Sequence, residues 1–304
     1  MDDAIRTENL VKRFRKAEAL RGLNLTVPKG AIYALVGSNG AGKTTTIKLL
    51  MNIFGATSGR AEVLGLDSRQ IRGTHLASIG YVSENQQIPD WMRADSFLAF
   101  LRPFYPTWDR QLEDKLTRQF DLPLDRRLRT LSRGTRMKAV LASALAFHPK
   151  LIVLDEPFTG LDPLVRDQLI QSLVERAAES TIFISSHDLG EIESFATHVG
   201  YLENGQLRLS EELTTLVERF RSVEAVFDVV PTLNGNLPPS WMHVATADAA
   251  VRFIETRFNA EKTSSDIEQR LGKARDVTFS PMSLRSIFIA MAKSHGKPAL
   301  EERN

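Results

Sequence analysis

The run Gly37-Ser38-Asn39-Gly40-Ala41-Gly42-Lys43-Thr44 constrains this chain more than any other feature. Its glycines allow a tight curl in which successive backbone N–H groups point at one anion. Ala31 to Val36, just before it, is a short apolar run of buried-strand type. Thr45 to Met51, just after it, has apolar residues at helical spacing. Strand, glycine loop and helix N-terminus together make a phosphate cradle. Gly37, Ser38, Asn39, Gly40, Ala41, Gly42, Lys43, Thr44 and Thr45 are the expected contacts to a nucleotide's phosphates. Lys43 suits the β- and γ-phosphates, and the Thr44 hydroxyl suits Mg²⁺.

The rest of the chain reads as α/β. Ile5 to Val11 and Leu23 to Val27 are strands, with Pro28-Lys29-Gly30 as a turn into the strand before the loop. Ala61 to Leu64 and Ile79 to Val82 are two more. From about residue 95 to 147 the periodicity becomes helical, with Phe97, Leu98, Phe100 and Leu101 as one apolar stripe and Leu112, Leu116 and Phe120 as another. This predicts a helical insertion in an α/β core. Leu151 to Leu154 and Thr181 to Ser185 are buried-type strands on either side of a helix, Leu164 to Ala178. That order implies a mainly parallel sheet with right-handed crossovers. Val199 to Leu209 closes it as a hairpin about Asn204-Gly205. Beyond Ser210 a smaller α+β domain is expected, 211–304. Its expected strands are Val223 to Val230 and Val251 to Phe258, its loop Pro231 to Pro239, and its helices Ser264 to Leu271 and Leu284 to Ala292.

Composition narrows the partners. With 39 basic and 37 acidic residues, net charge is only +2, which gives no electrostatic reason to expect nucleic acid. The absence of cysteine excludes disulfides and cysteine-ligated zinc, and fits a reducing compartment. Met1 to Arg6 is not followed by the apolar core of a signal peptide. No stretch approaches the ~18 apolar residues of a spanning helix. The longest candidate, Ala139 to Phe147, is interrupted by Ser143. Work at a membrane would need another chain to supply the membrane part.

A second constellation follows the loop. Leu151 to Leu154 ends in Asp155-Glu156. The first acid suits Mg²⁺; the second is placed to orient and deprotonate a water attacking a γ-phosphate. Gly37–Thr44, Leu131-Ser132-Arg133-Gly134-Thr135, Leu154-Asp155-Glu156-Pro157, Gly160-Leu161-Asp162 and Ser186-His187 occur in that order over roughly residues 5–210. The order resembles the ATP-binding subunits of ABC transporters, whose signature is LSGGQ. The resemblance implies a P-loop NTPase core with an N-terminal antiparallel β subdomain and a helical insertion. It implies ATP and Mg²⁺ as ligands, and Lys43, Glu156 and His187 as the catalytic groups. Phe14 would stack on adenine, and Asp162 would pass information between two nucleotide sites. Ser132 and Gly134 would cap the γ-phosphate bound by a second ATP-binding subunit, most simply an identical one. A separate transmembrane permease would complete the assembly, with this chain cytoplasmic and peripheral at the inner face of the cell membrane. Pro281 to Phe288 resembles the C-terminal ending of exporter-type bacterial members, which favours export. Its other reading is an ordinary amphipathic helix.

Three positions depart from the family pattern. Arg133 and Thr135 replace a glycine and the glutamine of the signature, and Glu84 stands where a metal-sensing glutamine is expected, with Gln86 and Gln87 close behind. A carboxylate there can still ligate a hard cation, so Glu84 joins Thr44 and Asp155 as a candidate metal ligand. The alternatives are a regulatory module that binds ATP without turnover, and a soluble ABC-type ATPase not coupled to transport.

Overall fold

The computed structural model describes residues 3–84, 86–231, 233 and 237–295. The chain divides into two compact units, Met1–Ser210 and Glu211–Asn304.

In the first unit, β1 (Asp3–Phe14) and β2 (Ala17–Pro28) pair antiparallel, and β4 (Ser58–Val63) and the short β5 (Leu66–Asp67) extend them in the order β2-β1-β4-β5. Buried and exposed residues alternate along β2, as a half-solvated sheet requires. The second sheet has the order β10-β9-β3-β8-β7-β6, with β3 Ile32–Val36, β6 Ile79–Ser83, β7 Leu151–Asp155, β8 Thr181–Ser186, β9 His198–Glu203 and β10 Gln206–Glu212. Strands β6, β7, β8, β3 and β9 run parallel. Every residue of β3, β7 and β8 is buried, which is why these segments read as unbroken apolar runs.

One apolar cluster joins the two sheets. It includes Leu10, Leu23 and Leu25 from the antiparallel sheet, Tyr33, Leu35, Val153 and Phe183 from the parallel one, and Ile47 and Leu50 from helix α1 (Lys43–Leu50). Full burial of each such side chain contributes roughly 1.5–3 kcal/mol. Register brings Ser83 beside Asp155, Asp155 beside Ser185 and Val36 beside Ser186. The loops leaving β3, β6, β7 and β8 therefore start from one carboxyl edge, where ligands of open α/β sheets bind.

The segment between β6 and β7 holds α2 (Ala94–Leu101), α3 (Arg110–Gln119) and α4 (Arg133–Leu145). Asp109 caps α3, accepting from the backbone N–H groups of Gln111 and Leu112; Ser132 caps α4, accepting from Thr135. Leu112, Leu116 and Phe120 are buried as expected, but the other stripe splits. Phe97 and Leu98 are buried, whereas Phe100 is 50% exposed and packs edge-on against Phe104. At roughly 100° per residue, Phe100 falls outside the arc that Ala94, Phe97, Leu98 and Leu101 share. Helix α5 (Pro163–Arg176) follows β7, capped by Asp162 with Pro163 at its first position. Helix α6 (Leu189–Glu193) follows β8.

The second unit is a sheet of order β12-β13-β11-β14 with helices α7 (Leu213–Arg219), α8 (Ala260–Leu271) and α9 (Leu284–His295). Strand β11 is Arg221–Val226 and β13 is Ala250–Glu255, both ending earlier than their sequence patterns suggest. Strands β12 (Trp241–Ala247) and β14 (Asp276–Pro281) were not expected. Both are mostly exposed, although Val277 and Phe279 alternate with polar neighbours along β14 and pack on the unit's core. Of the loop Pro231 to Pro239, residues 232 and 234–236 lie outside the described residues. This unit has its own core, in which Trp241 stacks on Phe253 and both join Val223, Val251, Ile267 and Leu271. Among the described residues, no helix is long and apolar enough to cross a membrane.

Candidate nucleotide site

Loop 37–42 turns from β3 into α1. A Cβ on Gly37 would lie 2.2 Å from the carbonyl oxygen of Leu202, so only glycine lets β3 leave the sheet here. Gly42 has φ 113°, and a Cβ on it would lie 2.7 Å from the Ala19 carbonyl oxygen. Gly42 caps α1 without a side-chain hydrogen bond, and no acid occupies the first turn. The first amides of α1 thus present a positive dipole end with no competing anion from the helix itself. A cleft of about 250 Å³ lies over this turn, lined by Ala19, Asn39, Gly40, Gly42, Lys43, Thr44, Thr45, Glu84 and Glu156.

Lys43 is 5% exposed and anchors the cleft's charge. Its ammonium donates to the carbonyl oxygens of Gly37 (2.6 Å) and Ser38 (3.2 Å) and sits 3.1 Å from Glu156 Oε1. The other carboxylate oxygen of Glu156, Oε2, is 2.7 Å from His187 Nδ1 and accepts from Thr159 at 3.3 Å. Burial pushes the Glu156 carboxyl up, but the His187 hydrogen bond and the Lys43 charge outweigh it and hold the pKa below the ordinary glutamate value. Glu156 also has φ 52°, a left-handed conformation unusual for a side chain of this size.

Asp155 is 3% exposed. Its Oδ1 accepts from the Thr44 hydroxyl (3.0 Å) and the Ser185 hydroxyl (2.8 Å). Burial raises its pKa, against the lowering effect of those two hydrogen bonds. A hydroxyl and a buried carboxylate are hard oxygen donors that fit Mg²⁺. No group of three or more His, Cys, Asp or Glu side chains among the described residues could hold a metal alone. The ion would therefore also need nucleotide oxygens, as Mg²⁺ commonly does.

The remaining expected residues lie outside this cleft. Phe14 is 44% exposed, rests edge-on against Phe54 and has the Lys12 ammonium 5.0 Å from its ring centre. Ser132 is exposed, its hydroxyl 2.8 Å from that of Thr135. Gly134 is buried, and a Cβ there would lie 3.1 Å from Val165 Cγ1, which couples α4 closely to α5. The Asp162 carboxylate accepts from the Val165 N–H at 3.0 Å. Sequence reasoning missed Ser185, whose hydroxyl donates to Asp155 and accepts from the Glu156 N–H at 3.0 Å. Its only signal was a polar residue near the end of an otherwise apolar strand.

The ABC transporter family profile matches residues 20–159. The ABC transporter ATP-binding protein YtrB of Bacillus subtilis is 28% identical over 94% of this chain and 97% of its own length. The bacitracin transport ATP-binding protein BcrA of Enterococcus faecalis is 31% identical over 75% of each. A solved ATP-binding subunit of an ABC transporter superposes with a TM-score of 0.65 at 25% identity, covering 71% of this chain and 92% of that one. The chain belongs to the ATP-binding subunits of ABC transporters. It has their ATPase fold, an α/β P-loop core with extra subdomains.

Proposed function

We propose that residues 1–210 bind and hydrolyse MgATP, and that hydrolysis powers export through a separate membrane-spanning partner. The observation that carries this reading is the convergence of Lys43, Glu156 and His187 beside the Thr44–Asp155 pair at one sheet edge. The loop amides and Lys43 would bind the phosphates, and Thr44 and Asp155 would hold the metal. Mg²⁺ in that place would neutralise charge on the β- and γ-oxygens. Glu156, kept ionised, accepts a proton from the attacking water. His187 and Lys43 orient the Glu156 carboxylate, and His187 reaches the γ-phosphate.

Ser132 and Gly134 do not line this cleft. By the family resemblance both would serve a nucleotide held by a second ATP-binding subunit, and a homodimer is the simplest such pair. Relatives named for bacitracin and lantibiotic transport support a transport role, and the resemblance of Pro281 to Phe288 to exporter-type members favours export. The subunit would then lie at the inner face of the cell membrane, docked on its permease.

The test is Mg²⁺-dependent ATP hydrolysis by wild type beside Glu156→Gln, with dimerisation followed on the same samples. The variant should lose about 10²–10⁴-fold in turnover, the usual worth of a positioned base. It should still bind ATP and accumulate as a dimer. Equal turnover in the variant would remove Glu156 from this role. Binding without turnover in the wild type, persisting with the reconstituted permease, would point instead to a regulatory module.

A further inference from the structure

Two of the three departures from the family pattern, Arg133 and Glu84, meet in space. Arg133 Nη2 donates to Glu84 Oε1 at 2.5 Å, across 49 positions of sequence. The Arg133 guanidinium also lies against the turn after β7, with Nη1 3.0 Å from where a Cβ on Gly160 would sit. Glu84 directly follows β6, and its N–H donates to the carbonyl oxygen of Asp155 at 3.0 Å. Its carboxylate is thus carried by the same sheet edge as the acid suited to the metal. Glu84 lines the nucleotide cleft on one side. On the other it lines a second cavity of about 310 Å³, shared with Arg133, Arg136 and Met137. It is the wall between them.

The other acids of the cleft have their partners: Glu156 has Lys43 and His187, and Asp155 has Thr44 and Ser185. Among the described residues, the cationic partner of Glu84 is Arg133, in a wet pair with side-chain exposures of 49% for Arg133 and 26% for Glu84. Ion pairs this exposed are held weakly. A divalent cation in the cleft is a stronger competitor for a hard oxygen.

We propose that Arg133 is a positioning residue that competes with the nucleotide's divalent metal for the Glu84 carboxylate, so that the signature turn sets how tightly the cleft holds its metal. This rests on the MgATP reading of the cleft. While Arg133 holds Glu84, the carboxylate is neutralised beside the phosphate site. When the metal takes Glu84, the guanidinium is released at the signature turn. By linkage, any anion that draws Arg133 away from Glu84 must tighten metal binding, and the reverse.

The experiment titrates Mn²⁺ into the full chain loaded with the non-hydrolysable analogue AMP-PNP, reading bound metal by EPR. Arg133→Ala should raise Mn²⁺ affinity about 2–5-fold, the range expected on removing an exposed ion pair. Arg133→Lys keeps the charge and should stay near wild type. Glu84→Gln should bind Mn²⁺ more weakly, and adding Arg133→Ala to it should change nothing further. An unshifted Arg133→Ala that melts like wild type would overturn the inference, as would an equal shift with and without Glu84. Wild type that binds no Mn²⁺ with AMP-PNP would overturn the nucleotide reading and this inference with it. Wild-type binding with an unshifted variant would overturn this inference alone.

Discussion

Burial raises the pKa of Asp155 above the ordinary aspartate value, while the hydroxyls of Ser185 and Thr44 pull it back. A carboxyl whose folded pKa exceeds its unfolded one costs stability at pH above both. That cost is relieved as pH falls below the unfolded value. At neutral pH the folded chain therefore carries a charge it would be more stable without. Asp155→Asn keeps an oxygen for both hydroxyls and removes the charge. It should raise the melting temperature of the nucleotide-free protein by about 2–4 °C, the shift that ~1 kcal/mol produces in a domain of this size. The same variant should weaken Mg²⁺-dependent nucleotide binding by about tenfold or more. Calorimetry and nucleotide titration on one preparation check both signs, and a lower melting temperature would show that the carboxylate stabilises the fold. The acid and its position at the end of an apolar strand were legible in the sequence. Its hydroxyl partner Ser185 was not, because the two meet only through the register of β7 and β8.

At the scale of elements, the helical insertion depends on one buried acid. Glu113, 4% exposed on α3, accepts from Arg102 Nε (2.8 Å), Arg102 Nη2 (2.6 Å) and the Trp108 indole N–H (2.7 Å). Burial raises the Glu113 pKa, but the Arg102 and Trp108 hydrogen bonds outweigh it and leave it lowered. The stabilisation is complete above the ordinary glutamate value of 4.5 and is lost as pH falls through the lowered one. Glu113→Ala leaves three N–H donors without this acceptor and should cost about 1.5–3 kcal/mol in urea unfolding at neutral pH, with the loss shrinking as pH drops below that window. Faster amide exchange in α3 than in β3 would locate the loss; unchanged exchange would place Glu113 outside the insertion's stability. Periodicity revealed α3 because Leu112, Leu116 and Phe120 repeat at helical spacing. It misplaced Phe100, since neighbouring apolar residues on one helix need not share a face.

For the whole molecule, the division after Ser210 follows from two cores with separate apolar clusters. Residues 1–212 retain all of β10, including the contact between the buried Tyr33 hydroxyl and Ser210 at 2.7 Å. We propose a dimer-stabilising or regulatory role for residues 211–304, and dimerisation distinguishes the two. On the dimer-stabilising reading, a chain ended at residue 212 should melt cooperatively and bind nucleotide within about twofold of the full chain, while its dimer weakens about tenfold, a change of roughly 1.4 kcal/mol. Analytical ultracentrifugation with nucleotide checks this, and an unchanged dimer would remove the dimer-stabilising role. The second unit was the less legible in sequence, because β12 is mostly exposed and β14 offers only Val277 and Phe279 as alternating apolar residues, so pairing across the sheet does much of the holding.

The sequence alone determined whatever depends on neighbours a few residues apart. The phosphate loop, the apolar strands β3, β7 and β8 and the paired acids all follow from local backbone freedom and periodicity. Only the tertiary structure decided which of these groups meet. Lys43 reaches Glu156, Ser185 supports Asp155, and Arg133 holds Glu84 because parallel register and the return of α4 bring distant segments to one sheet edge. Those meetings depend on long-range packing, which no local pattern encodes.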